Sequence, residues 1–337
     1  MMTMHYNQAN DGSDTTRRAF LGVMGTAMLS LALPSRLAAS LRRVATPIQL
    51  GLIADLHHDI MHDGTERLKC FQKAMAETQP DAIVQMGDFA WPSEKNQPLI
   101  DTFNADHPTI LHVLGNHDID GGYSWGQMLK AYGLERRYYA YDISGLRLIV
   151  LDGNERSPDY RDVYPAYIGP EQATWLEHEL QSHDGPIVVF SHQPIAGPSP
   201  IDNAVEIQKI LNRAADKVIL AVNGHTHIDT VVRVGRIAHL HVNSASYKWV
   251  GTAHAHESYS EDIHHQYPSI QYTCPYRDAI FTTLSFDPTN GAIQIQACVS
   301  QWVGQSPAEL GEANPGLTDG EEIAPRIRYR RIPRVTN

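Results

Sequence analysis

Five short apolar runs in this chain each stop on side chains that can bind a metal. Residues 48–54 lead into Asp55 and His57 (IADLH), and residues 82–86 into Asp88 (MGDFA). Residues 109–114 lead into Asn116 (LGNHD), residues 187–190 into His192 (FSHQP), and residues 218–222 into His225 and His227 (NGHTH). Apolar runs of this length read as buried strands. Open α/β sheets place their chemistry just beyond strand ends, where a side chain is held rigidly yet faces a crevice. Asp, His and Asn supply the oxygen and imidazole donors that first-row metals accept. One such end is weak evidence, but five in succession do not arise from packing alone.

Helical patterns separate the runs. Residues 65–78 put Leu68, Phe71, Ala74 and Met75 on one face, and Pro80 ends the pattern. A polar stretch containing Pro92 and Pro98 follows the second run. Residues 146–151 read as a further strand. Residues 169–181 (GPEQATWLEHELQ) read as a helix with Pro170 in its first turn and Trp175, Leu176 and Leu180 facing inward. Residues 201–214 read as another helix. From residue 230 onward strands dominate, over 230–234, 236–243, 279–286 and 291–298. Alternation followed by strands predicts an α/β sheet with helices, partnered by a second sheet. No repeat and no domain-length linker interrupts it. Residues 252–276 form an irregular His- and Tyr-rich insertion. Residues 303–325 are polar and Pro/Gly-rich, which reads as a mobile tail.

The formal charge of −11 argues against a nucleic-acid binder, which would show a basic face. It leaves an anionic small substrate open, because bound cations can dominate the local field. The 18 histidines fit metal chemistry. Cys70, Cys274 and Cys298 show no zinc-ribbon spacing. Free thiols, or one disulfide between Cys274 and Cys298, both remain open.

The N-terminus reads as an address. Arg17 and Arg18 precede Phe20 and Leu21, a mild apolar run to Leu33, and then Pro34, Ala38, Ala39 and Ser40. A charged region, a short apolar region and a small-residue zone make a signal peptide over 1–40. The paired arginines resemble a bacterial twin-arginine export signal. That resemblance implies a periplasmic or extracellular protein carried by the twin-arginine translocation machinery, a route that moves proteins already folded. The apolar run is short for a stable membrane span. An uncleaved N-terminal anchor is the other reading.

The ordered set Asp-x-His, Gly-Asp, Gly-Asn-His-Asp, His and Gly-His-x-His resembles the calcineurin-like metallophosphoesterase superfamily over roughly residues 48–243. The resemblance implies a four-layer sandwich, with two mixed β-sheets flanked by helices, over 45–300. In this organisation residues 252–276 read as a cap insertion from their irregular composition, and residues 303–337 as a C-terminal tail. It also implies two divalent or trivalent ions, drawn from Fe, Mn, Zn or Co, that act on a small phosphoester. Phosphate esters resist attack because the anion repels hydroxide. Two ions about 3.5–4 Å apart hold a bridging hydroxide and clamp the phosphoryl oxygens. By the same resemblance Asp55, His57 and His227 hold one ion, Asn116, His192 and His225 the other, and Asp88 bridges them. His117 is not a ligand there but protonates the leaving group or holds a phosphate oxygen. Asp118, next in the chain, reads as orienting His117 or as a solvated turn carboxylate. His58 and Asp59 line the pocket or stay on the surface.

Purple acid phosphatases carry a Tyr three residues after the bridging Asp, where this chain has Trp91, so no tyrosinate colour is expected. The Asp55-x-His57 pair looks instead like the branch of class III cyclic-nucleotide phosphodiesterases and glycerophosphodiesterases. The function this implies is an exported phosphoesterase acting on diesters or monoesters. The alternative is an inactive metal-binding scaffold of the same fold. A metallo-β-lactamase-type site would need His-x-His-x-Asp-His, which DLHHDIMHD does not supply. Residues 254–267 (HAHESYSEDIHHQY) read as a cap, an accessory metal site or a polar loop. RIRYRRIPR, residues 326–334, reads as an anion contact or as a solvated or sheet-edge segment.

Overall fold

The computed structural model describes residues 44, 46–160, 164–289, 291–312 and 323–332. The expected signal peptide over 1–40 lies outside the described residues. Two six-stranded mixed sheets carry the fold. The first contains β1 (Ile48–Ile53), β2 (Ala82–Gln85), β3 (Ile110–His112), β12 (Thr282–Asp287), β13 (Ala292–Ile295) and β16 (Arg330–Ile332), in the order β16-β13-β12-β1-β2-β3. The second contains β4 (Tyr139–Ile143), β5 (Leu146–Val150), β6 (Ile187–Ser191), β7 (Val218–Asn223), β8 (Thr230–Val234) and β9 (Ile237–His241), in the order β4-β5-β6-β7-β9-β8. β1, β2 and β3 run parallel, as do β5, β6 and β7.

These strands are mostly apolar because both of their faces are largely buried. Leu50, Leu52, Val84, Leu148, Val150, Val188 and Phe190 enter the core between the sheets. Ile53 and Ile83 alternate to the other side and meet α1 (Gly64–Thr78), α2 (Gln97–Asn104) and α3 (Trp125–Tyr132) through Phe71, Phe103 and Met128. Ile149, Ile187 and Val189 alternate likewise and meet α4 (Pro170–Ser182) and α5 (Ala204–Arg213) through Leu176, Leu180 and Ile207. The period of two along each strand therefore builds four layers, as the sandwich expectation requires.

Two helices lie where a polar stretch or nothing regular was expected. In α2, Pro98 occupies the first turn, where its missing N–H costs nothing, so it starts a helix. In α3, Ser124 and Gln127 form a reciprocal capping box. The insertion at 252–276 contains 3₁₀ turns at Thr252–His254 and Pro268–Tyr272 and the short helix α6 (Glu261–Gln266). Its strand β11 (Thr273–Pro275) pairs with β10 (Tyr247–Trp249). Tyr259, Ile263, Tyr267 and Ile270 pack it against Met61 and Tyr247.

Part of the expected tail is ordered sheet. β14 (Cys298–Val299) pairs with β15 (Arg326–Ile327), and β16 extends the first sheet along β13. The isoleucines at 327 and 332 explain this, since both are buried in the inter-sheet core. Residues 313–322 lie outside the described residues. Cys70, Cys274 and Cys298 are free. Among the described residues, no helix is long and apolar enough to cross a membrane.

Candidate functional site

The carboxyl ends of β1, β2, β3, β6 and β7 carry the expected donors. Beyond β1 and β2 the backbones stay paired, with Asp55 N–H donating to the Gly87 carbonyl at 3.1 Å and His57 N–H to the Asp88 carbonyl at 2.9 Å. Six of the seven donors fall into two groups able to hold a metal. These are Asp55, His57 and His227, and Asp88, His192 and His225, each with its ligand atoms within 4.8 Å of one another. Asp88 Oδ2 faces both groups, 3.1 Å from His192 Nε2 and 3.6 Å from His57 Nε2. Asp55 Oδ1 does likewise, 3.2 Å from His227 Nε2 and 3.9 Å from His192 Nε2. Asn116, the seventh, precedes His117, whose backbone N–H donates to Asp88 Oδ1 at 2.8 Å.

The local backbone is unusual. Asp55, His57, Asp88, His225 and His227 all have positive φ, between 48° and 67°. Each such residue costs on the order of 1–3 kcal/mol and persists only where the surroundings over-determine it. The preceding glycines answer to the same crowding. A Cβ on Gly87 would stand 2.3 Å from His192 Nδ1, at a φ of 97° that L residues avoid. A Cβ on Gly115 would stand 2.1 Å from Asp88 Oδ1. The Gly of Gly-Asp and Gly-Asn therefore makes room for a neighbouring donor.

Carbonyl groups set the histidine tautomers. His192 Nδ1 meets the Met86 carbonyl at 2.7 Å, and His227 Nδ1 meets the Tyr247 carbonyl at 2.8 Å. A carbonyl only accepts, so each Nδ1 carries a proton and each Nε2 is the nitrogen turned to the carboxylates, the orientation that metal-binding imidazoles use. Two buried polar atoms of the donor set have no hydrogen-bond partner: Asn116 Oδ1 and His225 Nδ1. Orphaned atoms at such a density call for an explanation, and a cation shared by these donors supplies one. Burial alone would lower the His192 imidazole, yet Asp88 and Asp55 raise it to about 10. His57 and His225 are pushed down to about 3, first by burial. Burial raises Asp55, but His227 and His192 outweigh it and hold the carboxylate below its usual range. The pocket thus holds the Asp55 and Asp88 carboxylates anionic, and it attracts positive charge.

His117 stands beside the donors, its ring centroid 5.5 Å from that of His57. Asp118 does not orient it. Asp118 is buried and accepts from the backbone N–H groups of Phe89 at 2.8 Å and Gly115 at 2.7 Å. Burial, then the Asp88 charge, pushes its carboxyl up to about 7. The carboxylate on His117 Nδ1 is that of Asp120, at 2.7 Å, which also accepts from the Tyr164 hydroxyl at 3.0 Å. Burial works against an imidazolium here, but Asp88 and Asp120 raise His117 above its ordinary value. The spacing of Asp120 three residues after His117 was visible in the sequence, whereas Tyr164 gave no local signal. Tyr247 was also missed, and its ring stacks on His57 at 4.9 Å.

A cleft of about 640 Å³ opens on this cluster, with Trp91, Tyr164, Tyr247, Lys248, Trp249 and Ser269 among its walls. Asp59 lines it too, and its carboxylate fixes the Trp91 N–H and the Asn96 side chain, both at 2.7 Å. His58 is not among the lining residues. The insertion reaches the cleft through Ser269. Residues 254–267 contribute to neither donor group.

The calcineurin-like phosphoesterase family profile matches residues 48–229 of this chain. No curated protein matches it. Among solved structures, a dimetal phosphatase from Danio rerio superposes with a TM-score of 0.53 at 14% identity, covering 74% of this chain and 95% of that one. GAP50, the anchor in the inner membrane complex of Plasmodium, superposes with a TM-score of 0.52 at 17% identity, covering 84% and 90%. At these identities the likeness is one of fold.

Proposed function

Since this chain belongs to the calcineurin-like phosphoesterase family, we propose that it is an exported hydrolase of small phosphodiesters that works with two metal ions. The observation that carries this reading is the pair of donor groups facing one another across Asp88. Asp55, His57 and His227 would hold one ion, Asn116, His192 and His225 the other, and Asp88 would serve both. Bound there, two cations would polarise the phosphoryl group and make water acidic enough to act as the nucleophile.

The chain's own groups do the rest. His117 Nδ1 is held by Asp120, so Nε2 is the nitrogen left to give a proton to the departing alkoxide. Tyr164 fixes the Asp120 carboxylate from its other side. The aromatic walls at Trp91, Tyr247 and Trp249 would bury an apolar substituent and exclude water from it. A second cavity of about 560 Å³, lined by Asn116, Arg137, Asn154 and Arg156, shares Asp120 and Tyr164 with the first. Two cavities flanking one cluster suit a phosphorus that carries two substituents, which favours diesters. The twin-arginine reading of the N-terminus supports export.

The test pairs metal analysis with rates on bis-p-nitrophenyl phosphate and p-nitrophenyl phosphate. Two ions per chain and a large diester preference are expected. A monoester preference overturns the diester assignment, and no turnover of either by metal-loaded protein overturns the hydrolase.

A further inference from the structure

The geometry points to a strap: Arg328 and Arg330, by gripping Asp229, are positioning residues for the donor group Asp55, His57 and His227 and not for the group Asp88, His192 and His225. The inference rests on reading those groups as metal sites.

Asp229 lies two residues beyond His227, in the turn that leaves β7 for β8, and it is buried. Its Oδ2 accepts from the backbone N–H of Arg328 at 3.0 Å, from Arg328 Nε at 3.0 Å and from Arg330 Nη2 at 2.9 Å. Its Oδ1 accepts from Arg330 Nη1. Its backbone carbonyl accepts from Arg328 Nη2 at 2.9 Å and Arg330 Nη2 at 3.1 Å. Both the side chain and the main chain of one residue are therefore held by two guanidiniums, in charge-assisted bonds that fix direction as well as distance.

The position of the grip matters. β8 is the outermost strand of the second sheet, and β16 is the outermost strand of the first. The clamp ties these two edges together at the turn that carries His227. That turn needs an outside restraint, because His227 is held at a φ of 49°. The same segment has a second grip. The carbonyls of Ala324 and Arg326 accept from Asn243 Nδ2 at 2.8 and 3.0 Å. Asn243 begins a stretch in which Ser244 Oγ donates to the Asp55 carbonyl at 2.9 Å and Ser246 Oγ to the Leu56 carbonyl at 2.7 Å. Asp55, Leu56 and His57 are consecutive. All three members of the first group thus sit within two residues of backbone that this strap braces. In the second group the Met86 carbonyl braces His192 and the His117 N–H braces Asp88, while His225 donates its N–H to the Asp55 carboxylate at 3.0 and 3.2 Å and sets its ring 5.2 Å from that of His192.

The test is chelator competition on the full, Mn²⁺-loaded chain, with released metal counted per chain. Arg330→Gln and Asp229→Asn are expected to release one ion about 10–100-fold more readily, the usual effect of losing a residue that orients a ligand, and to hold the other at wild-type strength. In a His227→Ala background, adding Arg330→Gln is expected to leave the remaining ion unchanged. Equal weakening of both ions, or no weakening of either, overturns the strap. If Arg330→Gln does not fold, Arg330→Lys, which keeps the charge and loses the fork, is measured by the same criteria. A wild-type chain that holds fewer than two ions overturns the metal reading beneath the strap, and a hydrolase with two ions of unaltered affinity in the variants overturns the strap alone.

Discussion

Asp120 Oδ2 stands 2.7 Å from His117 Nδ1 and takes a second hydrogen bond from the Tyr164 hydroxyl. That oxygen sets the plane and the tautomer of the imidazole, and it stabilises the imidazolium. His117, which lines the cleft, is thereby left with Nε2 to give the proton in the proposed reaction.

A proton donor matters most when the leaving group is a poor one. His117→Ala is expected to cut kcat by about 10²–10⁴-fold on an alkyl or ribosyl diester. The same change should cost far less on a p-nitrophenyl diester, whose leaving group needs no proton. Equal losses on both substrates would assign His117 to phosphate binding alone.

Asp120→Asn removes a charge-assisted hydrogen bond, a loss of about 1.5–3 kcal/mol. The expected cost on the alkyl diester is thus on the order of 10–100-fold in kcat, with KM little changed. Asp118→Asn should behave differently. It loosens the Phe89 and Gly115 backbone and is expected to lower the melting temperature. Thermal melts beside kinetics on both variants separate the two roles, and an Asp120→Asn chain with wild-type kcat contradicts the pairing.

Gly115→Ala places a methyl group 2.1 Å from Asp88 Oδ1 and must displace that carboxylate. The expected result is a folded chain with normal far-ultraviolet dichroism that retains less metal. Full metal retention would show that the Asp88 side chain can move without consequence.

Away from the site, His112 makes stability depend on pH. Its Nε2 meets Asn104 Oδ1 at 2.8 Å and its Nδ1 meets Gln85 Nε2 at 3.2 Å, which fits the neutral ring protonated on Nε2. Burial pushes its pKa down to about 3, from an ordinary 6.5. The folded value is depressed, so the contribution is complete above the unfolded pKa. It is lost as pH falls from 6.5 toward 3, at up to about 1.4 kcal/mol per pH unit. Denaturant melts between pH 7 and pH 5 should show a shallower decline for His112→Gln than for wild type. Parallel declines would contradict it.

The donors were legible because each closes a run too apolar to be anything but a doubly buried strand. The glycines before them marked turns in the sequence, but only the fold shows which side chain each accommodates, as Gly87 does for His192. Helix α2 was hidden by Pro98, whose meaning depends on whether it falls in a first turn or an interior. The error over Asp118 and Asp120 has the same origin. Both carboxylates follow His117 closely, and the choice between them is made by the Phe89 backbone, 29 residues away in sequence. The arginine-rich end gave a charge pattern without a partner, because Asp229 lies 99 and 101 residues from Arg328 and Arg330.

Anomalous diffraction from crystals grown with Mn²⁺ tests most directly whether one carboxylate serves two ions. Two peaks about 3.5–4 Å apart, one on each side of Asp88, are predicted. A single peak, or two with Asp88 bound to only one of them, would contradict the dinuclear centre.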